Sequence, residues 1–106
     1  MILDRQAALE RIEQDLELYE EICGIFSDDA PTILIDLKKS LNDREIPAAT
    51  RHAHSLKSAA ANIGASDLCA SARLAEDSFR AGNIKNSHTI ISNIEQDLSL
   101  VLGALK

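Results

Sequence analysis

Apolar residues recur every three or four positions through most of the chain, which is the spacing of amphipathic helices. The longest such stripe extends over residues 19–41 and consists of Tyr19, Ile22, Cys23, Phe26, Ala30, Ile33, Leu34, Leu37 and Leu41. Pro31 lies inside the stripe and removes a backbone donor, but the apolar positions keep their phase beyond it. The pattern therefore favours one kinked, continuous helix from about residue 15 to 42 over two helices that break near residues 27–29.

Residues typical of helix ends predict one helix before this long one and one after it. Residues 4–12 form a short amphipathic segment in which Asp4 is the predicted N-cap and Ala8, Leu9 and Ile12 form the apolar face. Pro47 suits the first turn of a helix that runs to about residue 63, and Gly64 suits its left-handed end. The predicted core face of that helix consists of Ala49, Ala53, Leu56, Ala60 and Ile63.

The remaining chain predicts two more helices. Ser66 is the expected N-cap of a helix that ends at about residue 81, with Leu68, Cys69, Ala72, Ala75 and Phe79 on its apolar face. Gly82 and Asn83 then predict the end of this helix and the start of the next, as Gly64 and Ser66 do earlier in the chain. A last helix over about residues 84–104 places Ile84, Ile91, Ile94, Leu98, Val101, Leu102 and Leu105 on one side.

Four substantial helices joined by short turns predict an all-α fold, an antiparallel four-helix bundle with a short additional N-terminal helix. The 106 residues suffice for one domain, and a core of Leu, Ile and Ala is expected because the chain has three aromatic residues. No apolar run approaches the ~20 residues that span a bilayer, and no leader is recognised. Cys23 and Cys69 lack a CxxC spacing, so we expect buried free thiols and a cytoplasmic protein. We expect a monomer because one bundle accounts for the apolar residues.

The net charge of −6 is unevenly distributed. Residues 1–47 carry twelve acidic and five basic side chains, whereas no carboxylate occurs between Glu45 and Asp67. That window contains Arg51, Lys57 and two of the three histidines, and its potential suits an anion. An acidic chain without a basic, aromatic stripe is a poor candidate for binding nucleic acid.

Within this window, His54 is predicted to point away from the core. At 100° per residue it lies roughly opposite the apolar face of its helix. Arg51 precedes it by one turn, Lys57 and Ser58 follow it by one turn, and Ala61 lies a further turn away. This arrangement is an exposed imidazole beside an ammonium group, framed by small side chains on which another protein could lie.

The segment "AHSLKSAAANIGA", residues 53–65, resembles the core motif of histidine-containing phosphotransfer (HPt) domains, the four-helix modules of histidine–aspartate phosphorelays. The resemblance extends over about residues 16–104 and includes "IF" at 25–26 and "AED…RAGN" at 75–83. It implies that His54 is the phosphoacceptor and that Lys57 stabilises the phosphoryl charge. Arg51, Ser58 and Ala61 would contact the partner. Ser58 stands where many members of the family have Gly. This difference would adjust the contacts with a phosphoryl group more than it would change the assignment to the family.

The resemblance also implies the partners. They are response-regulator receiver domains, which carry the donor or acceptor aspartate, and in addition a hybrid sensor histidine kinase. The chain itself would need no cofactor, because a divalent metal such as Mg²⁺ would be bound by the receiver, and it would have no ATP-dependent kinase activity because it has no phosphate-binding glycine loop. The chain would be a stand-alone HPt domain or one taken from the C-terminus of a hybrid kinase.

Other interpretations of the histidines remain to be weighed. Residues i and i+2 on a helix diverge too far for His52 and His54 to share a metal ion. A hydrolytic pair with Ser55 is disfavoured because adjacent side chains diverge and no carboxylate is expected nearby to orient the imidazole. His52 is predicted to be a partly buried structural residue and His88 a solvated one. The main alternative is a non-catalytic docking or adaptor bundle that binds a signalling partner.

Overall fold

The computed structural model describes all residues, 1–106, as five helices without strands. The helices are α1 (Arg5–Arg11), α2 (Leu16–Asn42), α3 (Ile46–Ile63), α4 (Ser66–Arg80) and α5 (Ser87–Ala104). Helix α3 packs against both α2 and α4, α5 packs mainly against α4, and α1 contacts α2 and α3. The result is the predicted four-helix bundle with a short N-terminal helix, measuring 41 × 21 × 20 Å. None of the five helices combines the length and the apolar character needed to cross a membrane.

The long helix α2 is continuous through Pro31, so the prediction of one helix rather than two is confirmed. Pro31 has no N–H to donate to the carbonyl of Ser27, but Ser27 is exposed and water can satisfy that oxygen. Cys23 and Cys69 are free, as predicted. Both are half-buried rather than buried, because they lie at the margins of the apolar faces of their helices.

A single core cluster of 21 buried residues fills the bundle. All five residues of the predicted α3 face are fully buried, and four of the five on α4 are buried. Ile90 on α5 is also buried, although the sequence pattern did not single it out. Because the α3 positions 49, 53 and 60 are alanines, the neighbouring helices approach α3 closely, and its opposite face is left at the bundle surface.

Two predicted helix starts are wrong. The N-cap of α4 is Ala65, not Ser66, and the Ser66 hydroxyl donates to the Met1 carbonyl instead of capping the helix. Helix α5 begins at Ser87 instead of residue 84. The Asn83 side chain accepts a hydrogen bond from the backbone amide of Lys85, two residues later, and so forms an Asx turn. The helix begins only after this turn. The Asp4 cap of α1 is confirmed by its bond to the Ala7 amide.

Gly64 joins the N-terminal segment to the end of α3. Its φ of 81° is the predicted left-handed conformation, and its carbonyl accepts a hydrogen bond of 2.7 Å from the Asp4 amide. A Cβ at this position would overlap the Asp4 carbonyl. The Arg11 guanidinium donates to the Ala61 carbonyl and the Tyr19 hydroxyl to the Ile63 carbonyl, so the chain before and within the start of α2 closes the C-terminal end of α3.

Replacing Gly64 by alanine should destabilise the fold by about 2 kcal/mol, because it adds left-handed strain and displaces the N-terminal segment. Gly82 has a φ of 77° but nothing within 4 Å of an added Cβ, so Gly82→Ala measures the strain alone. Urea unfolding of both variants separates the two contributions. Equal destabilisation of the two variants would show that the contact with Asp4 contributes nothing.

Candidate functional site

The surface between α3 and α4 carries the exposed histidine that the sequence predicted. His54 lies on α3 at a position opposite the alanines that pack in the core, and 57% of its side chain is exposed. Lys57, one turn later, is closer to the helix interface, with 23% of its side chain exposed. The three alanines on the core face of α3, at positions 49, 53 and 60, and the short turn at Gly64 bring α4 alongside these two residues.

Glu76 of α4 lies beneath both side chains and connects them. Only 3% of its side chain is exposed, and its two carboxylate oxygens have different partners. Oε2 is 2.8 Å from His54 Nδ1 and 2.6 Å from Nη2 of Arg80, and Oε1 is 2.7 Å from Lys57 Nζ. One buried carboxylate therefore holds the imidazole, the ammonium and the guanidinium in one cluster, which we call the Glu76 cluster.

The charge on Glu76 fixes the chemistry of the imidazole. The hydrogen bond that Glu76 accepts from Lys57 lowers the pKa of the carboxyl group most, and those from His54 and Arg80 lower it further. Burial raises this pKa, but the hydrogen bonds outweigh it and the pKa of Glu76 is about 2. A carboxylate that is ionised at neutral pH can only accept hydrogen bonds. His54 Nδ1 therefore carries a proton toward Glu76, and in the neutral ring the lone pair lies on Nε2, the nitrogen that does not contact Glu76.

The other predicted contact residues surround this cluster without joining it. Arg51 and Ser58 are exposed, and Ala61 is half-buried on the same side of α3. Arg51 forms no ion pair, since the five ion pairs of the protein involve other residues. His52 is half-buried on the α2 side of α3, and His88 is exposed, as predicted.

The expectation that no carboxylate would orient the imidazole is wrong. Glu76 was missed because it is distant in sequence and lies in a segment with other acidic residues. A signal was available, since Ala72, Glu76 and Phe79 follow the i, i+4, i+7 spacing of the buried face of α4. A carboxylate on such a face needs cationic or hydrogen-bonding partners, and the facing helix offered His54 and Lys57. Arg80, one turn beyond Glu76, was also missed, because its role depends on its contact with Glu76.

Comparison with known families decides what kind of protein carries this site. The sequence matches the Hpt domain family over residues 21–104, which is most of the chain. The chain belongs to the Hpt domain family. The fold of this Hpt domain is also that of a solved structure, histidine-containing phosphotransfer protein B (HptB) from Pseudomonas aeruginosa PAO1. The TM-score is 0.89 at 24% sequence identity, over 97% of this chain and 90% of that one. The comparison with curated proteins gave no significant match.

Membership of the family gives the function at a general level. The protein is a histidine phosphotransfer module of a two-component phosphorelay, and Hpt domains work with the receiver domains of response regulators. No group of three or more His, Cys, Asp or Glu side chains is placed to hold a metal ion.

Proposed function

We propose that Nε2 of His54 accepts a phosphoryl group from the aspartyl phosphate of one receiver domain and passes it to the aspartate of another. The observation that carries this proposal is the contact of 2.8 Å between His54 Nδ1 and the ionised Glu76 carboxylate. It keeps the reactive lone pair on the exposed nitrogen, where a partner protein can reach it. His52 and His88 have no such carboxylate partner.

The transfer forms one bond and breaks one. The Nε2 lone pair attacks phosphorus, the bond from phosphorus to the aspartyl oxygen breaks, and the electron pair leaves with the regenerated receiver carboxylate. No proton needs to move, because Nδ1 keeps its own. The ring becomes positively charged as the N–P bond forms, and the adjacent Glu76 carboxylate stabilises that charge, as a carboxylate does for an imidazolium in hydrolytic triads.

Lys57 supplies positive charge for the transferring phosphoryl oxygens. Its Nζ contacts Glu76 Oε1 in the unphosphorylated protein, and a side chain that is one turn from His54 can turn toward a phosphoryl group on Nε2. Lys57→Gln should slow transfer between this protein and a receiver about a hundredfold by removing that charge. Lys57→Arg, which keeps the charge, should recover most of the rate. Rapid-quench transfer assays measure both, and equal rates for Lys57→Gln and wild type would exclude this role.

The rest of the reaction would be supplied by the partner. We propose that the divalent metal, Mg²⁺ in the simplest case, is bound by the receiver domain, and that this chain contributes no cofactor. Arg51, Ser58 and Ala61 would lie under the receiver, around His54. A hybrid sensor histidine kinase is the proposed upstream partner. The proposed location is the cytoplasm, whose reducing conditions suit the free thiols of Cys23 and Cys69. The proposed state is a monomer, because one core cluster accounts for most of the apolar residues.

The test is transfer of labelled phosphoryl groups from phosphorylated receiver domains to the purified protein. A label that is lost in acid and retained in alkali supports phosphohistidine, because the N–P bond and an acyl phosphate differ in these stabilities. If no receiver in a broad panel labels the protein although one of them binds it, the phosphocarrier proposal is wrong. The adaptor interpretation then takes its place.

A further inference from the structure

A groove lies beside the candidate site, at the corner where α1, α3 and α4 meet. Its volume is about 340 Å³. Small residues, three alanines among them, and two arginines line it. The corner groove is defined by Ala7, Arg11, Ala61, Ala70 and Arg73, and Asp4 and the α3–α4 turn also line it.

The corner groove is continuous with the surface around His54. Ala61 belongs to both, two turns after His54 on α3, and Arg73 precedes Glu76 by one turn on α4. The seven residues from His54 to Ala61 correspond to about 10 Å along the helix. A protein that docks with one partner covers about 800 Å² of it, a patch roughly 30 Å across. A receiver domain centred on His54 therefore also covers the corner groove.

The positive charges in the groove favour a partner surface that carries negative charges. Arg11 and Arg73 form no ion pair, although the chain has 17 acidic residues and a net charge of −6. The Arg11 guanidinium is held at the groove by its bond of 3.0 Å to the Ala61 carbonyl. The one carboxylate that lines the groove, Asp4, accepts a hydrogen bond from the amide of Ala7 at the start of α1. Covering two unpaired guanidinium groups is unfavourable unless the partner supplies carboxylates.

From these observations we propose that the corner groove is a specificity site, which receives acidic side chains of the receiver domain that docks over His54. This proposal rests on the proposed function, since the receiver is the partner assumed there. Receivers with carboxylates at this position would associate faster and bind more tightly than receivers without them. The acidic N-terminal half of the chain would otherwise repel an acidic partner, and the two arginines would direct it to the α3–α4 face.

The test measures binding separately from transfer. The probe is the purified receiver domain that labels the wild type fastest, or, if none does, the one that binds it most tightly. Arg73→Gln and Arg11→Gln should each weaken its binding about fivefold at low ionic strength, with slower association and a shallower dependence on salt. Lys39→Gln on α2 changes the net charge equally and lies outside the groove, so it should bind as the wild type does. Circular dichroism verifies that the variants are folded.

The possible outcomes separate the two proposals. If His54 takes label but Arg73→Gln binds the receiver as tightly as wild type, the groove proposal is wrong and the proposed function stands. If the wild type takes no label but Arg73→Gln still weakens receiver binding relative to Lys39→Gln, the groove proposal stands and the proposed function fails. If Arg73→Gln dissociates a homodimer and leaves receiver binding unchanged, the groove is an interface between copies of the chain, which overturns the proposal.

Discussion

Replacing His54 by glutamine is expected to abolish phosphorylation by receiver domains, while the midpoint of thermal unfolding should stay within about 3 °C of the wild type. The nucleophilic nitrogen is lost, whereas glutamine keeps an amide that can hydrogen-bond to Glu76. More than half of the His54 side chain is exposed, so the core loses no packing. Label transfer measures the first effect, and a circular-dichroism melt measures the second.

The other two histidines are the matched controls for this experiment. His52→Gln and His88→Gln remove an imidazole from the same protein but leave the Glu76 cluster intact, so both should be labelled at the wild-type rate. Retention of label by His54→Gln, or its loss in His52→Gln, would contradict the assignment of the phosphoacceptor. A melt lowered by many degrees in His54→Gln would show that the residue is structural.

Replacing Glu76 has the second-largest expected effect, because one side chain holds three others. Glu76→Ala should slow transfer about a hundredfold by freeing the His54 ring and removing the charge opposite it. It should also cost about 2 kcal/mol of stability, since the hydrogen bonds to charged partners are lost and Lys57 is left partly buried without its carboxylate. Rapid-quench kinetics and urea unfolding measure the two losses. Asp77→Ala, the exposed neighbour, should change neither.

A positioning role for Glu76 has a signature that lost stability alone would not produce. In the wild type, ¹⁵N chemical shifts of the His54 ring should report the proton on Nδ1, whereas Glu76→Gln should give a mixture of tautomers. The Gln amide also turns its NH₂ group toward one of the cations, so this variant should recover only part of the transfer rate. An unchanged tautomer in Glu76→Gln would show that the carboxylate does not orient the ring.

The same carboxylate makes stability depend on pH in the acid range. The pKa of Glu76 is about 2 in the folded protein and 4.5 as its ordinary value. Between these values the unfolded chain binds more protons, so the contribution of Glu76 is present above about pH 4.5 and is lost as the pH falls toward 2. The free energy of unfolding of Glu76→Gln should therefore fall less steeply over this range than that of the wild type. Parallel curves would show that Glu76 is not the group responsible.

The sequence predicted the helices of this bundle well because each depends on a local, repeated signal. The period of apolar positions identified α2 across Pro31, and glycine in a left-handed conformation marked the end of α3 at Gly64. The errors were at the starts of α4 and α5, and neither of these helices has a side-chain hydrogen bond at its N-cap. Ser66 binds the Met1 carbonyl, a contact between residues 65 positions apart that no local pattern contains.

Only half of the candidate site could be predicted from the sequence, because only half of it depends on local spacing. His54 and Lys57 are neighbours on one helix, so their spacing and exposure could be read directly. Glu76 and Arg80 reach them from another helix, and their relation depends on how closely the two helices pack. The alanines of α3 permit that approach, but the facing register of α4 is a property of the folded bundle. In the sequence, the one signal of this contact is the position of Glu76 on the buried face of α4.

The charges of the Glu76 cluster also bear on how long a phosphoryl group would persist on this protein. At neutral pH the carboxylate, Lys57 and Arg80 together carry one net positive charge, with the imidazole left out of the count. A phosphoryl group adds about two negative charges, and the protonated ring adds one positive charge. The loaded cluster is then electrically neutral without any metal ion. We therefore expect a phosphoryl group on His54 to be charge-balanced between transfers, and a metal ion brought by the receiver, as proposed above, would shift that balance toward release.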